Sequence, residues 1–355
     1  MEALTHFSDV TGLQANMDKS DLFLAGVDDQ TKDQLVRKTG FVLATLPITY
    51  LGLPLSSKGW SKMECQQLID KITSKITSAY SKQLSYAGRL QIINVVLFSI
   101  HSIWSSVFIL LQSVLKNVDK KCRDYLWGST EEAIKVPLVS WEQVCIPKKF
   151  GGLNIKGSKL WNMASVGRLL WQLVVKEDVL WIKWYMDWYW KKVNALKAEM
   201  QVWHSSRAYL LTPKGKYSLT QSYNTLLGQH ARLRVADFIW TRFAQPKQRF
   251  ILWLAMQDRL LTKERLKRLN IPVEDDTCCL CEKSVEETHI HMFSTCEWIV
   301  RVQTEMQHLS GTLIPAGTVK HILNRLRRKN WQQFHKELIV ALCGAMIYQV
   351  CRARN

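Results

Sequence analysis

The stretch CCLCEKSVEETHIHMFSTC, residues 278–296, packs four cysteines and two histidines into nineteen residues. Tetrahedral zinc sites use four thiolate or imidazole ligands, commonly a close pair on one turn and a second pair on another. Cys278 and Cys281 supply a C-x2-C pair, and His291 with Cys296 supplies H-x4-C after a gap of nine residues. The spacing predicts a small domain organised around a metal ion.

Two neighbouring residues compete for the same roles. Cys279 with Cys281 forms a C-x-C pair, and His289 stands two residues before His291. We favour Cys278 with Cys281, because an x2 spacing lets both sulfurs face one point while the intervening amides donate hydrogen bonds to them. Spacing leaves His289 and His291 as alternatives, and ordinary buried thiols and histidines as the alternative to a metal. Four protein ligands leave no open coordination position, so we expect zinc here to be structural.

A basic apolar segment, residues 240–270, leads into this stretch. Apolar residues recur there at helical spacing, and cations alternate with them. These cations are Arg249, Arg259, Lys263, Arg265, Lys267 and Arg268. A basic helix of this kind suits contact with a phosphate backbone, and a solvated helix face is the alternative interpretation.

The composition bounds the class of protein. A chain of 355 residues is too long for one compact core, and its 47% hydrophobic residues are enough to form two or three separate cores. The formal net charge of +18 favours a polyanionic partner, nucleic acid before an anionic membrane. We expect most of the fifteen tryptophans to be core anchors.

Hydrophobic periodicity and turn residues predict a mainly α fold with minor β structure. Helices are predicted over 28–40, from Ser61 onward, and over 89–111, 113–128, 158–176 and 331–351. Residues 44–60, which contain Pro47, Pro54 and the β-prone ITYL, predict a strand or hairpin.

The most apolar run, residues 90–111, is long enough to raise the question of a membrane span. It is interrupted by Gln91, Asn94, Ser99, His101, Ser102, Ser105 and Ser106. We therefore expect a buried helix pair and no membrane. The first residues lack the basic and apolar regions of a signal peptide, which favours an intracellular protein of the nucleus or cytoplasm.

These residues carry a family likeness. FILWLAMQDRLLTKERLKRLNI (250–271), followed by C-x2-C and HIHMFSTC, resembles the zinc-binding domain at the end of plant LINE-type non-LTR retrotransposon reverse transcriptases. In that family a histidine is followed by an apolar pair and then by cysteine, which selects His291 over His289. The resemblance therefore implies structural Zn²⁺ held by Cys278, Cys281, His291 and Cys296.

The resemblance extends upstream. FSDVTGLQANMDKSDLFLAGV (7–27) is similar to the segment after the catalytic YxDD box, TYLGLPL (49–55) to the primer-grip hairpin, and residues 84–110 and 147–156 to the thumb and the region beyond it. It implies a residual palm end with a primer-grip-like hairpin (1–57), a helical thumb/connection region (58–212), a zinc-binding domain (213–310) and a C-terminal helical tail (311–355).

In this family the thumb grips the template–primer duplex through its backbone. The resemblance therefore nominates Lys71, Lys75, Lys82 and Arg89 as phosphate contacts. The implied partner is RNA or DNA, bound without sequence specificity.

The chain also departs from the family. The YxDD box and the endonuclease domain are absent. Asp28 and Asp29 come after the GLQANMDKS segment, whereas the family's catalytic pair comes before it. Asp275 and Asp276 stand beside the zinc ligands. Two-metal polymerase chemistry needs clustered carboxylates, so we expect no polymerase activity of its own. The hypothesis is a truncated reverse-transcriptase-like protein that binds nucleic acid; the alternative is a non-functional or scaffold-only helical protein that makes protein–protein contacts.

Overall fold

A computed structural model describes residues 2–14, 16, 20–24, 26–45, 48–50, 53–55, 62–79, 84–129, 135–174, 215–313 and 317–354. The chain divides into two compact units, Met1–Gln66 and Gln67–Asn355. Helices dominate and the strands form two short pairs, so the predicted fold class, mainly α with minor β, is confirmed.

The first unit holds the strands. Its elements are α1 (Glu2–Thr11), β1 (Asp21–Leu22), α2 (Asp29–Thr39), β2 (Val42–Leu43), β3 (Ile48–Tyr50) and β4 (Leu53–Leu55), and α3 (Lys62–Ala79) runs from this unit into the second. β1 and β2 pair in parallel, whereas β3 and β4 are antiparallel with Thr49 opposite Pro54. The hairpin predicted within residues 44–60 is confirmed. Ser61 lies outside the described residues.

Local signals define α2 as predicted. The Asp28 carboxylate accepts a hydrogen bond from the Thr31 amide (3.1 Å), which satisfies a free N–H of the first turn. Gly40 ends the helix in the left-handed region, at φ 71°, and its N–H bonds the Val36 carbonyl. Asp29 pairs with Lys32 at 2.7 Å, so both aspartates act locally in this helix.

Helices are the main elements of the second unit in the part that the structure describes. Its helices are α4 (Tyr86–Ile92), α5 (Phe98–Ser105), α6 (Gln112–Trp127), α7 (Trp141–Cys145), α8 (Ser158–Val174), α9 (Leu219–Leu227), α10 (Ala236–Ile239), α11 (Pro246–Met256), α12 (Lys263–Arg268), α13 (Glu297–Ser310), α14 (Val319–Arg328) and α15 (Gln333–Arg354).

The apolar run forms one helical segment in place of the predicted helix pair. A π turn, Ile93–Leu97, joins α4 to α5 without a break, and the segment ends at Ser105. The chain beyond it is held by a buried amide: Asn162 donates to the Phe108 carbonyl (2.8 Å) and accepts from the Leu110 N–H (3.1 Å). Satisfied polar groups let this apolar run lie inside a globular unit.

Aromatic side chains fill the centre of the second unit. Tyr86 stacks on Phe250 with ring centroids 5.3 Å apart, and Trp127 meets Tyr86 edge-on at 5.8 Å. The prediction that tryptophans anchor the core is confirmed for Trp104, Trp127, Trp141, Trp161 and Trp253, which are all buried. α11 lies at the middle of this packing, in contact with α4, α14 and α15.

α15 is long and apolar enough to cross a membrane by length and composition alone. It instead packs against α10, α11 and α14. A face that includes Val340, Cys343, Ile347 and Val350 is buried, whereas Leu338 and Leu342 are exposed. One buried face is what a core helix of a globular protein presents.

The loop at 146–156 is joined to α11 by hydrogen bonds. The Gly151 carbonyl accepts hydrogen bonds from Trp253 Nε1 (2.8 Å) and Gln257 Nε2 (3.1 Å), which ties α11 to this loop. A Cβ atom on Gly152 would lie 2.0 Å from the Ile146 carbonyl oxygen, so this position requires glycine.

Candidate metal centre

The first part of the zinc loop, which comprises residues 278–296, is held by antiparallel backbone hydrogen bonds. Thr277 and Glu286 form an antiparallel bridge, and the Cys278 N–H bonds the Val285 carbonyl at 2.8 Å. The Leu280 N–H donates to Cys278 Sγ at 3.4 Å. An amide within the C-x2-C turn therefore stabilises the sulfur, as the choice of Cys278 with Cys281 required.

A π turn, His291–Thr295, positions the second ligand pair. The Cys296 N–H bonds the His291 carbonyl at 2.9 Å, so the two side chains meet despite the four intervening residues. Thr295 Oγ1 lies 3.3 Å from His291 Nδ1. This contact occupies one ring nitrogen and leaves Nε2 for a metal.

The four ligand atoms converge on one point. The cluster is Cys278, Cys281, His291 and Cys296, and its ligand atoms lie within 4.8 Å of one another. The sulfurs of Cys278 and Cys296 are 3.9 Å apart, and Cys281 Sγ is 3.4 Å from His291 Nε2. A tetrahedral Zn²⁺ with its usual bond lengths separates such ligands by about 3.5–3.8 Å. The cluster fits a structural zinc ion.

In the absence of a metal ion, the surroundings of Cys278 disfavour its thiolate form. Burial raises the pKa of the Cys278 thiol to about 11, and the adjacent Cys296 sulfur adds to the rise. A bound divalent cation stabilises thiolates and reverses both effects. Cys296 also stands at the N-terminus of α13, where the helix dipole favours negative charge.

The two competing residues lie apart from the cluster. Cys279 is exposed, and its sulfur faces the Arg354 carbonyl at 3.7 Å. His289 is buried against the Phe293 ring, with Nδ1 3.0 Å from an Asp258 carboxylate oxygen, and burial lowers its pKa. The choice of Cys278 over Cys279 and of His291 over His289 agrees with this geometry.

Sequence reasoning missed a buried carboxylate in the zinc loop. Glu287 is fully buried and pairs with Arg354 through two contacts, Nη2–Oε1 at 2.9 Å and Nε–Oε2 at 3.2 Å. It also accepts the Lys263 N–H at 2.9 Å. Glu287 therefore joins the zinc loop to the start of α12 and to the end of α15. No local sequence signal points to this, because Arg354 lies 67 residues away.

Acidic residues of the zinc region pair with cations of α12. Lys263 Nζ lies 3.4 Å from Asp275 and donates to the Thr277 carbonyl at 2.7 Å, and Lys267 pairs with Asp276. The aspartates beside the zinc ligands thus hold lysines that sequence analysis nominated for phosphate. Arg268 is likewise within 3.3 Å of Glu264 on its own helix.

Arg265 requires a correction. It was predicted to contact phosphate, but the residue is buried. Its guanidinium donates to the Asp258 carbonyl at 2.6 Å and to the Leu138 carbonyl at 3.0 Å. The side chain is buried and its Nη1 and Nη2 donors are engaged by backbone carbonyls, so it is not available to a nucleic acid.

The other nominated cations occupy different environments. Lys71 and Lys75 are exposed on α3, and Lys82 lies outside the described residues. Arg259 is exposed and Arg249 is half-buried. Arg89 is buried, and lines a cleft among α4, α11 and α15.

Comparison with known proteins places the metal centre in a family. Residues 217–302, which include all four ligands, match the family described as zinc-binding in reverse transcriptase. A protein of Arabidopsis thaliana named as a ribonuclease H protein is 33% identical over 170 residues, which is 47% of this chain. The chain spans about a quarter (25%) of that relative's length. The zinc-binding segment is thus related to that of reverse transcriptases.

Proposed function

We propose that this reverse-transcriptase-related, zinc-containing protein binds RNA or DNA through the phosphate backbone, without sequence specificity. The observation that carries the proposal is the cluster of Cys278, Cys281, His291 and Cys296 inside a segment that matches the zinc-binding family of reverse transcriptases. A net charge of +18 supports a polyanionic partner.

The proposal includes the finer assignment made from sequence. The protein is related to LINE-type elements, with the domain division 1–57, 58–212, 213–310 and 311–355, and it acts inside the cell, in the nucleus or cytoplasm. Zinc holds the fold of the third region and takes no part in chemistry, because its four coordination positions are filled by protein. The exposed cations Lys71, Lys75 and Arg259 provide phosphate contacts.

Salt dependence tests nucleic-acid binding directly. The affinity of the zinc-loaded chain for a labelled oligonucleotide should fall steeply as salt rises, because each phosphate contact releases counterions. Equal affinity for unrelated sequences of one length is expected as well. Affinity that does not change between low and high salt would contradict the proposal.

We also propose that the protein has no polymerase activity of its own. The two aspartate pairs considered from the sequence have other partners: Asp28 caps α2 and Asp29 pairs with Lys32, while Asp275 and Asp276 pair with lysines. Primer extension on a primed template with Mg²⁺ tests this. Template-dependent synthesis by the purified chain would refute it.

A scaffold role in protein–protein contact is the second candidate. Leu309, Leu313 and Phe334 are 85%, 71% and 58% exposed, so they offer apolar side chains to another protein surface. This candidate predicts self-association that Leu309→Ser and Leu313→Ser abolish, measured by sedimentation. Salt-dependent oligonucleotide binding by a monomer would favour the first candidate.

A further inference from the structure

A cleft of about 170 Å³ opens among α4, α11 and α15 in the second unit. Its polar lining consists of Ser85, Tyr86, Arg89, Lys135, Lys247 and Tyr348. Among the described residues that line the cleft, every charged one is a cation. A small concave site with converging cations is the arrangement that anions select.

Arg89 is the central feature of this cleft, which we call the Arg89 cleft. The residue is only 8% exposed, yet no hydrogen bond or ion pair joins its guanidinium to any group in the described part of the chain. The guanidinium carries five N–H donors and stays charged at neutral pH. None of the guanidinium nitrogens is sealed from solvent without a partner. The group opens into the cleft, where an anion can pair with its charge.

The packing around Arg89 holds its guanidinium in place. Nη1 lies against Gly128, where a Cβ atom would come within 2.2 Å of it, and Gly128 itself adopts φ +73°. The guanidinium carbon lies 5.9 Å from the centre of the Tyr86 ring, and that ring is stacked on buried Phe250. A cation fixed by aromatic and backbone neighbours is preorganised for a ligand.

Two exposed lysines complete the rim. Lys247 Nζ lies 5.0 Å from the centre of the Tyr348 ring. Lys135 is held through its backbone, since its N–H donates to Ser129 Oγ (3.0 Å) and its carbonyl accepts from the same hydroxyl (3.1 Å). Both side chains therefore start from fixed positions, while their ammonium groups are open to solvent.

The size of the cleft limits the ligand. Pockets that enclose whole small molecules span about 300–1,000 Å³, so this cleft accommodates a single compact anion and no nucleoside. We propose that the Arg89 cleft binds one phosphate group of a nucleic-acid backbone, with Arg89 as its buried anchor and Lys135 and Lys247 on its rim. This rests on the proposed nucleic-acid binding and assigns it a site.

Anisotropy of a fluorescein-labelled single-stranded oligonucleotide with the full-length zinc-loaded chain tests the cleft. Arg89→Gln should weaken binding about tenfold, the loss expected for a charge-assisted contact. The double variant Lys135→Gln/Lys247→Gln should reduce the slope of log affinity against log salt by about 0.7 for each phosphate lost. Lys120→Gln/Lys320→Gln removes the same charge from exposed positions outside the cleft and should bind more tightly than the rim variant.

The outcomes separate this proposal from the proposed function. Salt-dependent binding by the unaltered chain, with equal affinity for the rim variant and its charge-matched control, would refute the cleft alone. No binding by the unaltered chain would refute nucleic-acid binding as a whole. Thermal stabilisation by inorganic phosphate that Arg89→Gln abolishes, with unchanged oligonucleotide affinity, would show a free-anion site and overturn the assignment to the backbone.

Discussion

The carboxylate of Glu287 in the zinc loop pairs with the guanidinium of Arg354 in the last turn of α15. Nη2 lies 2.9 Å from Oε1, and Nε donates to Oε2 at 3.2 Å. Glu287 has no exposed side-chain surface, whereas Arg354 keeps 18% of its own. A buried carboxylate needs this partner, because solvent does not reach it. The pair thus makes the end of the last helix part of the metal-binding region.

Arg354→Ala should destabilise the protein by about 3 kcal/mol, because it leaves Glu287 charged, buried and without its cation. Urea unfolding of the zinc-loaded chain measures this. Arg352→Ala removes an exposed arginine from the same helical turn and should change the free energy of unfolding by less than about 0.5 kcal/mol. Equal stability of the two variants would contradict the importance of the pair.

Zinc content should distinguish the ligands from their neighbours. Cys281→Ser and His291→Ala should reduce bound zinc from about one ion per chain to a small fraction, because a structural site needs all four ligands. Cys279→Ser and His289→Gln alter the residues beside them and should retain the ion. Elemental analysis of the purified variants measures this, and zinc loss in Cys279→Ser would overturn the assigned ligand set.

Arg265→Met should lower stability and leave nucleic-acid binding unchanged. The substitution removes the donors to the Asp258 and Leu138 carbonyls, and each buried carbonyl left unpaired costs about 1–3 kcal/mol. Arg259→Met removes an exposed cation nearby. It should weaken nucleic-acid binding and leave stability unchanged. Thermal unfolding and oligonucleotide titration of both variants provide the comparison. A weaker salt dependence in Arg265→Met would argue that the side chain reaches phosphate after all.

Gly152→Ala should destabilise the loop that holds α11. The new Cβ would lie 2.0 Å from the Ile146 carbonyl oxygen. The clash is with backbone, which cannot move aside as a flexible side chain can. Overpacking of this kind costs about 1–3 kcal/mol. Gly344→Ala, in α15, meets only Leu252 at 3.5 Å and should be neutral or stabilising, because alanine favours helix. Denaturant unfolding compares the two variants.

His101 should make stability depend on pH. Burial lowers the pKa of its imidazole from 6.5 to about 4, so the folded protein resists protonation there. The contribution is fully present above pH 6.5 and is lost as the pH falls toward 4, because the unfolded chain then binds a proton that the folded chain does not. Unfolding free energies of the unaltered chain should therefore fall more steeply in this window than those of His101→Gln. Parallel profiles would contradict the assignment.

Local patterns allowed much of this architecture to be predicted. Asp28 and Gly40 mark the two ends of α2, and Gly128 ends α6, because capping depends on residues within one turn. The single helical segment at 86–105 was predicted as a pair, since periodicity does not reveal a π turn that carries the helix on.

The sequence by itself determined the helical fold class, because periodicity and capping depend on residues a few positions apart. Spacing favoured Cys278, Cys281 and Cys296 as zinc ligands, and the family resemblance selected His291 over His289. Tertiary structure alone decided which charges face inward. Arg265 donates a hydrogen bond to the carbonyl of Leu138, which is 127 positions away in the sequence. Glu287 pairs with Arg354, and Arg89 lines a cleft with Lys247. Such contacts join residues far apart in the chain, and burial sets their energies, so no local pattern encodes them.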